Sequence, residues 1–97
     1  MLGCDIVKVS RFERNLSRLA FNILTAPELA EFTESTNKIE YVAGRWAAKE
    51  AIFKATGNKR MTVLNNSNGA PYVVNNPNIK ISISHEKEYA MAIALMI

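Results

Sequence analysis

The spacing of apolar residues changes once along the chain, near Gly57, and this change constrains the fold most. Before Gly57 the apolar residues recur at helical intervals, whereas after it they alternate with polar residues or alanine. The alternation over 79–84 and 89–97 predicts two antiparallel strands joined by the polar stretch His85–Glu88. Residues 61–64 and 71–74, which flank an Asn-Ser-Asn-Gly loop, predict a second hairpin.

The part of the chain before Gly57 predicts an opening strand and three helices. Residues 2–7 are apolar and partly β-branched, as is typical of a strand. Three capping signals mark the helix starts: Ser10 with Glu13, Thr25 with Glu28, and Asn37 with Glu40. The first helix would run to about Phe21, and the third to about Thr56. The predicted class is therefore α+β, with an antiparallel β-sheet packed against a long central helix plus two shorter N-terminal helices.

Length and composition limit the possible functions. Ninety-seven residues predict a single domain over 1–97 with a small core, which makes oligomerisation a reasonable expectation. The strongly apolar run Ala90–Ile97 is too short for a membrane span, and the absence of a leader favours the cytoplasm. One cysteine and one histidine exclude an internal disulfide and a zinc cluster. The net charge of +3 suits an anionic partner.

Two acidic residues occupy positions that favour apolar side chains. Glu50 falls near the middle of an apolar arc of the long helix, and Asp5 lies between Cys4 and Ile6 of the first strand. The other members of the arc are Ile39, Val42, Ala43, Trp46 and Phe53. Glu50 could form an ordinary helix pair with Lys54, and Asp5 could cap a strand end. Alternatively, both carboxylates could hold one Mg²⁺ ion, which proteins often bind through one or two carboxylates together with substrate phosphates.

Basic and hydroxyl side chains accompany these acids. Arg45 and Lys49 lie on the flank of the long helix, and Ser84 and His85 lie at the end of a strand. All four side chains could donate hydrogen bonds to phosphate oxygens. Ser84 could equally be a solvent-facing residue. A separate stripe on the predicted first helix consists of Arg11, Arg14 and Arg18. This stripe could be a solvated face, a docking surface for an acidic helix, or a nucleic-acid contact. The scarcity of aromatic residues among the basic ones argues against nucleic acid.

Several motifs, in one order along the whole chain, resemble those of the holo-[acyl-carrier-protein] synthases, the small bacterial 4′-phosphopantetheinyl transferases. The motifs are Gly3-Cys-Asp-Ile-Val7, Ala43-Gly-Arg-Trp-Ala-Ala-Lys-Glu-Ala51, Asn68-Gly-Ala-Pro71 and Ile81-Ser-Ile-Ser-His85. The resemblance implies transfer of phosphopantetheine from coenzyme A to a serine of apo-acyl carrier protein, with release of adenosine 3′,5′-bisphosphate. It also implies a homotrimer whose active sites lie between subunits.

The resemblance also assigns roles to residues. Asp5 and Glu50 are implied as Mg²⁺ ligands, and Arg11 as a contact to the acidic helix of the carrier protein. The implied contacts to coenzyme A phosphates are Arg45, Lys49, Lys54 and His85. For the chemistry, we expect Glu50 to act as the base for the serine proton and Lys54 to neutralise or protonate the leaving phosphate. No nucleic-acid or membrane partner is expected.

Overall fold

The computed structural model describes every residue of the chain, Met1–Ile97, and it contains five strands, three α-helices and one 3-10 turn. In chain order these are β1 (Leu2–Lys8), the 3-10 turn (Val9–Phe12), α1 (Leu16–Ile23), α2 (Ala26–Glu34), α3 (Lys38–Thr56), β2 (Val63–Asn65), β3 (Pro71–Val73), β4 (Ile79–His85) and β5 (Tyr89–Met96). One antiparallel sheet has the order β1-β5-β4, and β2 pairs with β3 in a second sheet. The predicted α+β class and both predicted hairpins are confirmed.

Small residues let α3 lie close against the three-stranded sheet. The alanines of β5 that face α3 are buried, and so are those of α3 that face the sheet: Ala90, Ala92, Ala94, Ala47, Ala48, Ala51 and Ala55. At Gly3 of β1, a Cβ atom would overlap with the carbonyl oxygen of Ala51. A larger side chain at position 3 would therefore push β1 away from α3, and with it the neighbouring Asp5.

The two faces of the three-stranded sheet differ in an unexpected way. Alternation along the strands places Gly3, Asp5 and Val7 toward α3, and it leaves the even-numbered residues of β1 on the outer face. That outer face carries exposed large apolar residues, namely Leu2, Ile6, Ile93 and Leu95. Ser82 and Ser84 pair with Ile93 and Met91 on this same face. Both serines are exposed, but the face that they occupy is largely apolar.

The first predicted helix begins later than the capping signal indicates. Ser10 lies inside the 3-10 turn, Asn15 adopts a left-handed conformation with φ of 57°, and α1 begins only at Leu16. Arg11 consequently lies in the 3-10 turn and Arg14 in the connecting turn, while only Arg18 belongs to α1. All three are exposed, but they do not share one helical face.

The other two capping signals are confirmed, and they fix the starts of α2 and α3. Thr25 and Glu28 form the reciprocal capping box at the start of α2. The Oδ1 atom of Asn37 accepts a hydrogen bond from the backbone N–H of Glu40 at 3.1 Å. α3 ends at Gly57 as predicted. None of the helices combines the length and the apolar character that a membrane crossing requires.

The buried side of α3 differs from the predicted apolar arc. Val42 and Ala43 are fully buried, but Phe53 is 39% exposed. The burial extends instead over the alanines that face the sheet, and it also includes the side chains of Arg45 and Lys49. The arc was misjudged because charged residues with partners on other elements cannot be recognised from one helix alone.

Candidate active site

Asp5, Glu50 and Lys54 form the first group of predicted site residues, called here the acidic cluster. Lys54 Nζ donates to Asp5 Oδ1 at 3.2 Å and to the carbonyl oxygen of Cys4 at 2.9 Å, so it ties the C-terminal half of α3 to β1. Glu50 lies one helical turn before Lys54, on the same side of α3. The interpretation of Glu50 and Lys54 as a helix pair is wrong, because the lysine binds Asp5.

The carboxylates of the acidic cluster keep free oxygens. Within the chain, Asp5 Oδ2 and both oxygens of Glu50 accept no hydrogen bond, and Glu50 forms no ion pair. The Asp5 side chain is 18% exposed and that of Lys54 is 52% exposed, so the cluster opens to solvent. No group of three or more His, Cys, Asp or Glu side chains is placed to enclose a metal ion. Two hard oxygen donors with open positions nevertheless suit Mg²⁺, which usually retains waters and substrate phosphates among its ligands.

Arg11 lies over Trp46, one helical turn from Glu50 of the acidic cluster. Its guanidinium stacks over the ring of Trp46 at 5.2 Å from the ring centroid, and Trp46 lies one turn before Glu50 on α3. The ring also packs against Phe12, with 6.2 Å between the ring centroids. The 3-10 turn thus holds a cation over Trp46, one helical turn from Glu50.

The second group of predicted residues lines a polar cavity of about 290 Å³ at the start of α3, called here the polar cavity. Arg45 and His85 both line it. The rest of its lining comes from the turn before α3, from α3 itself and from the β2–β3 and β4 strands: Ser35, Thr36, Asn37, Glu40, Tyr41, Asn65, Gly69, Pro71 and Ile83. Two predicted phosphate ligands are therefore brought to one concave site.

Three hydrogen bonds hold the guanidinium of Arg45, but one of its nitrogens has no partner within the chain. Its Nε donates to the carbonyl oxygen of Val63 at 2.8 Å, and its Nη2 donates to Asn65 Oδ1 at 2.7 Å and to Glu31 Oε1 at 3.1 Å. Nη1 has no partner within the chain, and no buried polar side-chain atom is left unpartnered. Nη1 must therefore be reachable from solvent. The space next to Arg45 from which it can be reached is the polar cavity, which Arg45 lines.

His85 reaches the polar cavity because Gly44 leaves room for its ring. A Cβ atom at position 44 would lie 2.6 Å from His85 Nε2, which is closer than real Cβ contacts allow, and 3.2 Å from Ile83 Cγ2, which is a tight contact. Nδ1 of His85 lies 4.0 Å from Glu40 Oε1. Gly44 thus positions the imidazole against α3, a role that the sequence analysis did not assign.

A third group of charges, the buried network, joins α2, α3 and β2 through Glu28, Glu31, Arg45 and Lys49. Glu28 is fully buried, and its Oε1 lies 2.8 Å from Lys49 Nζ while its Oε2 accepts from the Val63 N–H at 2.7 Å. Lys49 Nζ also donates to the carbonyl oxygen of Met61 at 2.8 Å. The expectation that Lys49 contacts coenzyme A does not agree with this placement, because its ammonium is bound inside the protein.

The acidic cluster and the polar cavity are separate within one chain. Arg45 and Lys54 are nine residues apart, so at about 100° per residue they lie on opposite sides of α3. His85 contacts α3 at Gly44, about 15 Å before Lys54 at 1.5 Å per residue. Ser84 belongs to neither group; its side chain points to the face of the sheet opposite to that of His85, but both residues border a separate cavity of about 330 Å³ at the end of β4.

Sequence reasoning missed the residues that hold Arg45. Glu31, Tyr41 and Asn65 come from three different elements, and only the fold brings them together. The hydroxyl of Tyr41 donates to Glu31 Oε1 at 2.7 Å, and the Tyr41 ring lies 4.5 Å from the Arg45 guanidinium. Burial, followed by this hydrogen bond, raises the pKa of Tyr41 well above its usual value. The one available sequence signal was Glu31 itself, one helical turn after Glu28.

Comparisons with known proteins agree with the architecture. The family model described as the 4′-phosphopantetheinyl transferase superfamily matches residues 1–94. The chain is 41% identical to the holo-[acyl-carrier-protein] synthase of Streptococcus mutans over 104 residues, which covers 95% of this chain and 87% of that protein.

Solved structures show the same fold. The holo-(acyl-carrier-protein) synthase of Bacillus anthracis, in complex with CoA (3′,5′-ADP), is similar with a TM-score of 0.86 and 34% identity, and the match covers 98% of this chain and 93% of that one. The synthase of Neisseria meningitidis gives a TM-score of 0.87 at 26% identity over 99% of this chain and 96% of that one.

Proposed function

This chain belongs to the holo-[acyl-carrier-protein] synthases of the 4′-phosphopantetheinyl transferase superfamily, and it therefore transfers phosphopantetheine from coenzyme A to acyl carrier protein. We propose that the acidic cluster and the polar cavity divide this reaction between them. The acidic cluster carries the chemistry at the diphosphate, and the polar cavity binds the adenosine bisphosphate end of coenzyme A. The observation that carries this proposal is the pair of carboxylates with free oxygens: Asp5, whose Oδ1 is bound by the ammonium of Lys54, and Glu50, which has no partner and lies one helical turn before that lysine.

The acidic cluster is proposed to hold Mg²⁺ through Asp5 and Glu50. Their free oxygens are hard donors on one side of α3, and they leave open positions for phosphate oxygens and water. When bound, the ion supplies positive charge that offsets the negative charge on the diphosphate. The partner of Asp5 Oδ1 is a lysine, so Oδ2 is the oxygen of Asp5 left for the ion.

Glu50 and Lys54 are proposed to move the protons. The serine hydroxyl of the carrier protein attacks the β-phosphorus of coenzyme A, a P–O bond forms, and the P–O bond to the leaving adenosine 3′,5′-bisphosphate breaks. A Glu50 oxygen accepts the serine proton, and the Lys54 ammonium neutralises or protonates the leaving phosphate. Phosphoryl transfer needs positioning and charge more than a protein nucleophile, which agrees with this set of residues.

The polar cavity is proposed to bind phosphate through Arg45 and His85. The Nη1 atom of Arg45 has two N–H groups without partners in the chain, and guanidinium N–H groups form strong charge-assisted hydrogen bonds with phosphate. Ser84, which lies outside this cavity, would meet coenzyme A only on the outer face of the sheet.

The complete active site is proposed to form between copies of the chain, in a homotrimer. One observation in support is the distance between the two clusters along α3. A second is the outer face of the sheet, where Leu2, Ile6, Ile93 and Leu95 are between 41% and 66% exposed; large apolar patches of this kind are typical of association surfaces. Sedimentation of the wild type and of Ile93→Lys tests this proposal, with a loss of trimer expected in the variant.

The carrier protein is proposed to dock on Arg11, Arg14 and Arg18. All three are exposed, and Arg11 lies over Trp46, one helical turn from Glu50, so an acidic helix bound there would bring its serine toward Glu50. A cytoplasmic location also remains a prediction; the free thiol of Cys4 agrees with a reducing compartment.

Intact-mass analysis tests the proposed division of the site. Apo-acyl carrier protein is incubated with the chain, coenzyme A and Mg²⁺, and we expect it to gain one phosphopantetheine group. Omission of Mg²⁺ or the substitution Asp5→Asn should each abolish the gain. Normal turnover of Asp5→Asn at low Mg²⁺ concentrations would contradict the proposed role of the acidic cluster.

A further inference from the structure

The carboxylate of Glu31 on α2 accepts hydrogen bonds from two side chains and one backbone N–H of residues that line the polar cavity. Oε1 accepts hydrogen bonds from the Tyr41 hydroxyl at 2.7 Å and from Arg45 Nη2 at 3.1 Å, and Oε2 accepts from the backbone N–H of Asn65 at 2.8 Å. Tyr41, Arg45 and Asn65 all line the cavity, whereas Glu31 does not. Its carboxylate lies outside the polar cavity and borders a second, neighbouring cavity that Tyr41 and Asn65 also line, so toward the polar cavity it can act only through its partners.

These contacts determine the plane of the Arg45 guanidinium. Val63 fixes Nε, Asn65 and Glu31 together fix Nη2, and the Tyr41 ring covers one side of the group. Nη1 then has a single orientation. Loss of Glu31 would remove the only charged partner of the guanidinium and also the acceptor that holds the Tyr41 hydroxyl.

We propose that Glu31 is a positioning residue for coenzyme A binding, because it fixes Arg45 and Tyr41 and thereby aims Arg45 Nη1 into the polar cavity. The inference rests on the proposed function of that cavity. It assigns Glu31 no contact with substrate. Pre-organisation of a phosphate-binding guanidinium lowers the cost of ordering it when the ligand binds.

Glu28 serves as a control, since it is the same residue type on the same helix with the same kinds of partner, although it is fully buried and also caps α2, and none of its partners lines the polar cavity. Both are glutamates of α2 one turn apart, and both accept a backbone N–H of β2 and pair with a cation of α3. Glu28 pairs with Lys49, which does not line the polar cavity. A purely structural role of these glutamates would therefore affect both variants in the same way.

The test compares Glu31→Gln, Glu28→Gln and the exposed surface variant Glu34→Gln in steady-state kinetics. For Glu31→Gln we expect the KM for coenzyme A to rise about tenfold, equal to about 1.4 kcal/mol, with kcat within about twofold of wild type. Glu34→Gln, and Glu28→Gln at a temperature where it is folded, should keep the wild-type KM. An unchanged KM for Glu31→Gln, or an equal rise for Glu28→Gln, would overturn the inference.

His85→Ala separates this inference from the function on which it rests. The imidazole lines the same cavity and makes no short hydrogen bond within the chain, so its loss should raise the KM for coenzyme A without unfolding the protein. If neither His85→Ala nor Glu31→Gln changes the KM, the proposed function of the cavity is wrong. If only Glu31→Gln is without effect, the cavity assignment stands and the role of Glu31 is wrong.

An ultraviolet titration of tyrosine gives a readout that is independent of catalysis. In Glu31→Gln, loss of the negatively charged acceptor should lower the pKa of Tyr41 toward its usual value. A tyrosine that titrates as in the wild type, together with an unchanged KM, would show that Glu31 holds neither side chain.

Discussion

The buried network and the acidic cluster contain the same kinds of side chains, but they differ in how many hydrogen bonds the carboxylates receive. In the buried network, each oxygen of Glu28 and Glu31 has at least one donor, including two backbone N–H groups of β2. In the acidic cluster, Asp5 has one charged partner and Glu50 has none. The carboxylates of the first region are saturated, whereas those of the second have oxygens open to a ligand.

This difference shows why charge on α3 alone does not identify a site. The β2 backbone is bound on one side by Glu28, Glu31 and Arg45, which take the place of a neighbouring strand, and Lys49 binds the carbonyl oxygen of Met61 just before it. A buried ion pair of this kind is costly to break, since the remaining charge is left without a partner. A solvent-open carboxylate without a partner has little structural value, and it is therefore the better candidate for binding a cation.

The largest effect on stability is expected for Glu28→Ala, which removes the carboxylate from the saturated region. Lys49 would stay buried without its partner, and the N–H of Val63 would lose its acceptor, so the free energy of unfolding should fall by about 3–5 kcal/mol. Urea denaturation measures the change, with Glu34→Ala as the surface control. A loss below about 1 kcal/mol would show that the network is not the stabilising element described here.

The converse result is expected for Glu50→Gln in the open region. Its carboxylate has no partner in the chain, so the free energy of unfolding should change by less than about 0.5 kcal/mol. The kcat at saturating Mg²⁺ should nevertheless fall about 100-fold, which corresponds to about 2.7 kcal/mol in the activation barrier. Near-normal turnover would contradict both proposed roles of Glu50, as ligand and as base.

The sequence predicted the elements whose signals are local. Thr25 with Glu28 and Asn37 with Glu40 form caps from neighbouring residues, and the alternation over 79–97 follows directly from the sheet with one face on α3. The failure at Ser10 has a local cause too, because the left-handed conformation of Asn15 interrupts the helix before α1.

The saturation of the charged groups could not be predicted, because it depends on residues that are distant in the chain. Lys49 and Arg45 looked like free cations, since their partners Glu28 and Glu31 belong to another helix. For the same reason the sequence could not separate Arg45 and His85, which line the cavity, from Ser84 on the opposite face of the sheet. Asp5 could be singled out from the sequence alone, because a carboxylate inside an apolar strand is unusual.

A smaller and pH-dependent effect on the free energy of unfolding is expected for Tyr41→Phe, whose hydroxyl binds Glu31 of the buried network. Loss of the hydrogen bond to Glu31 should lower the free energy of unfolding by about 1 kcal/mol at neutral pH. The pKa of Tyr41 is raised in the folded protein, so its contribution is complete below the ordinary pKa of 10.0 and is lost as the pH rises above that value.

Urea denaturation of the wild type and of Tyr41→Phe at about pH 8 and about pH 11 tests this sign, provided that both proteins stay folded. The difference between them should shrink at the higher pH, because the hydroxyl ionises first in the unfolded chain. All other titrating groups are shared by the two proteins and cancel in the comparison. A difference that grows with pH would contradict the proposed environment of Tyr41.

A small effect on stability is expected for Lys54→Met, and it contrasts the two lysines of α3 directly. Lys54 is 52% exposed and its bond to Asp5 is open to solvent, so its loss should cost at most about 1 kcal/mol. Lys49→Met leaves Glu28 buried without its cation and should cost several times more. Urea denaturation measures both variants, and the activity of Lys54→Met reports separately on its proposed role at the leaving phosphate. Equal destabilisation by the two substitutions would remove the distinction between a saturated and an open cluster, since burial would then not determine what a lysine on α3 contributes.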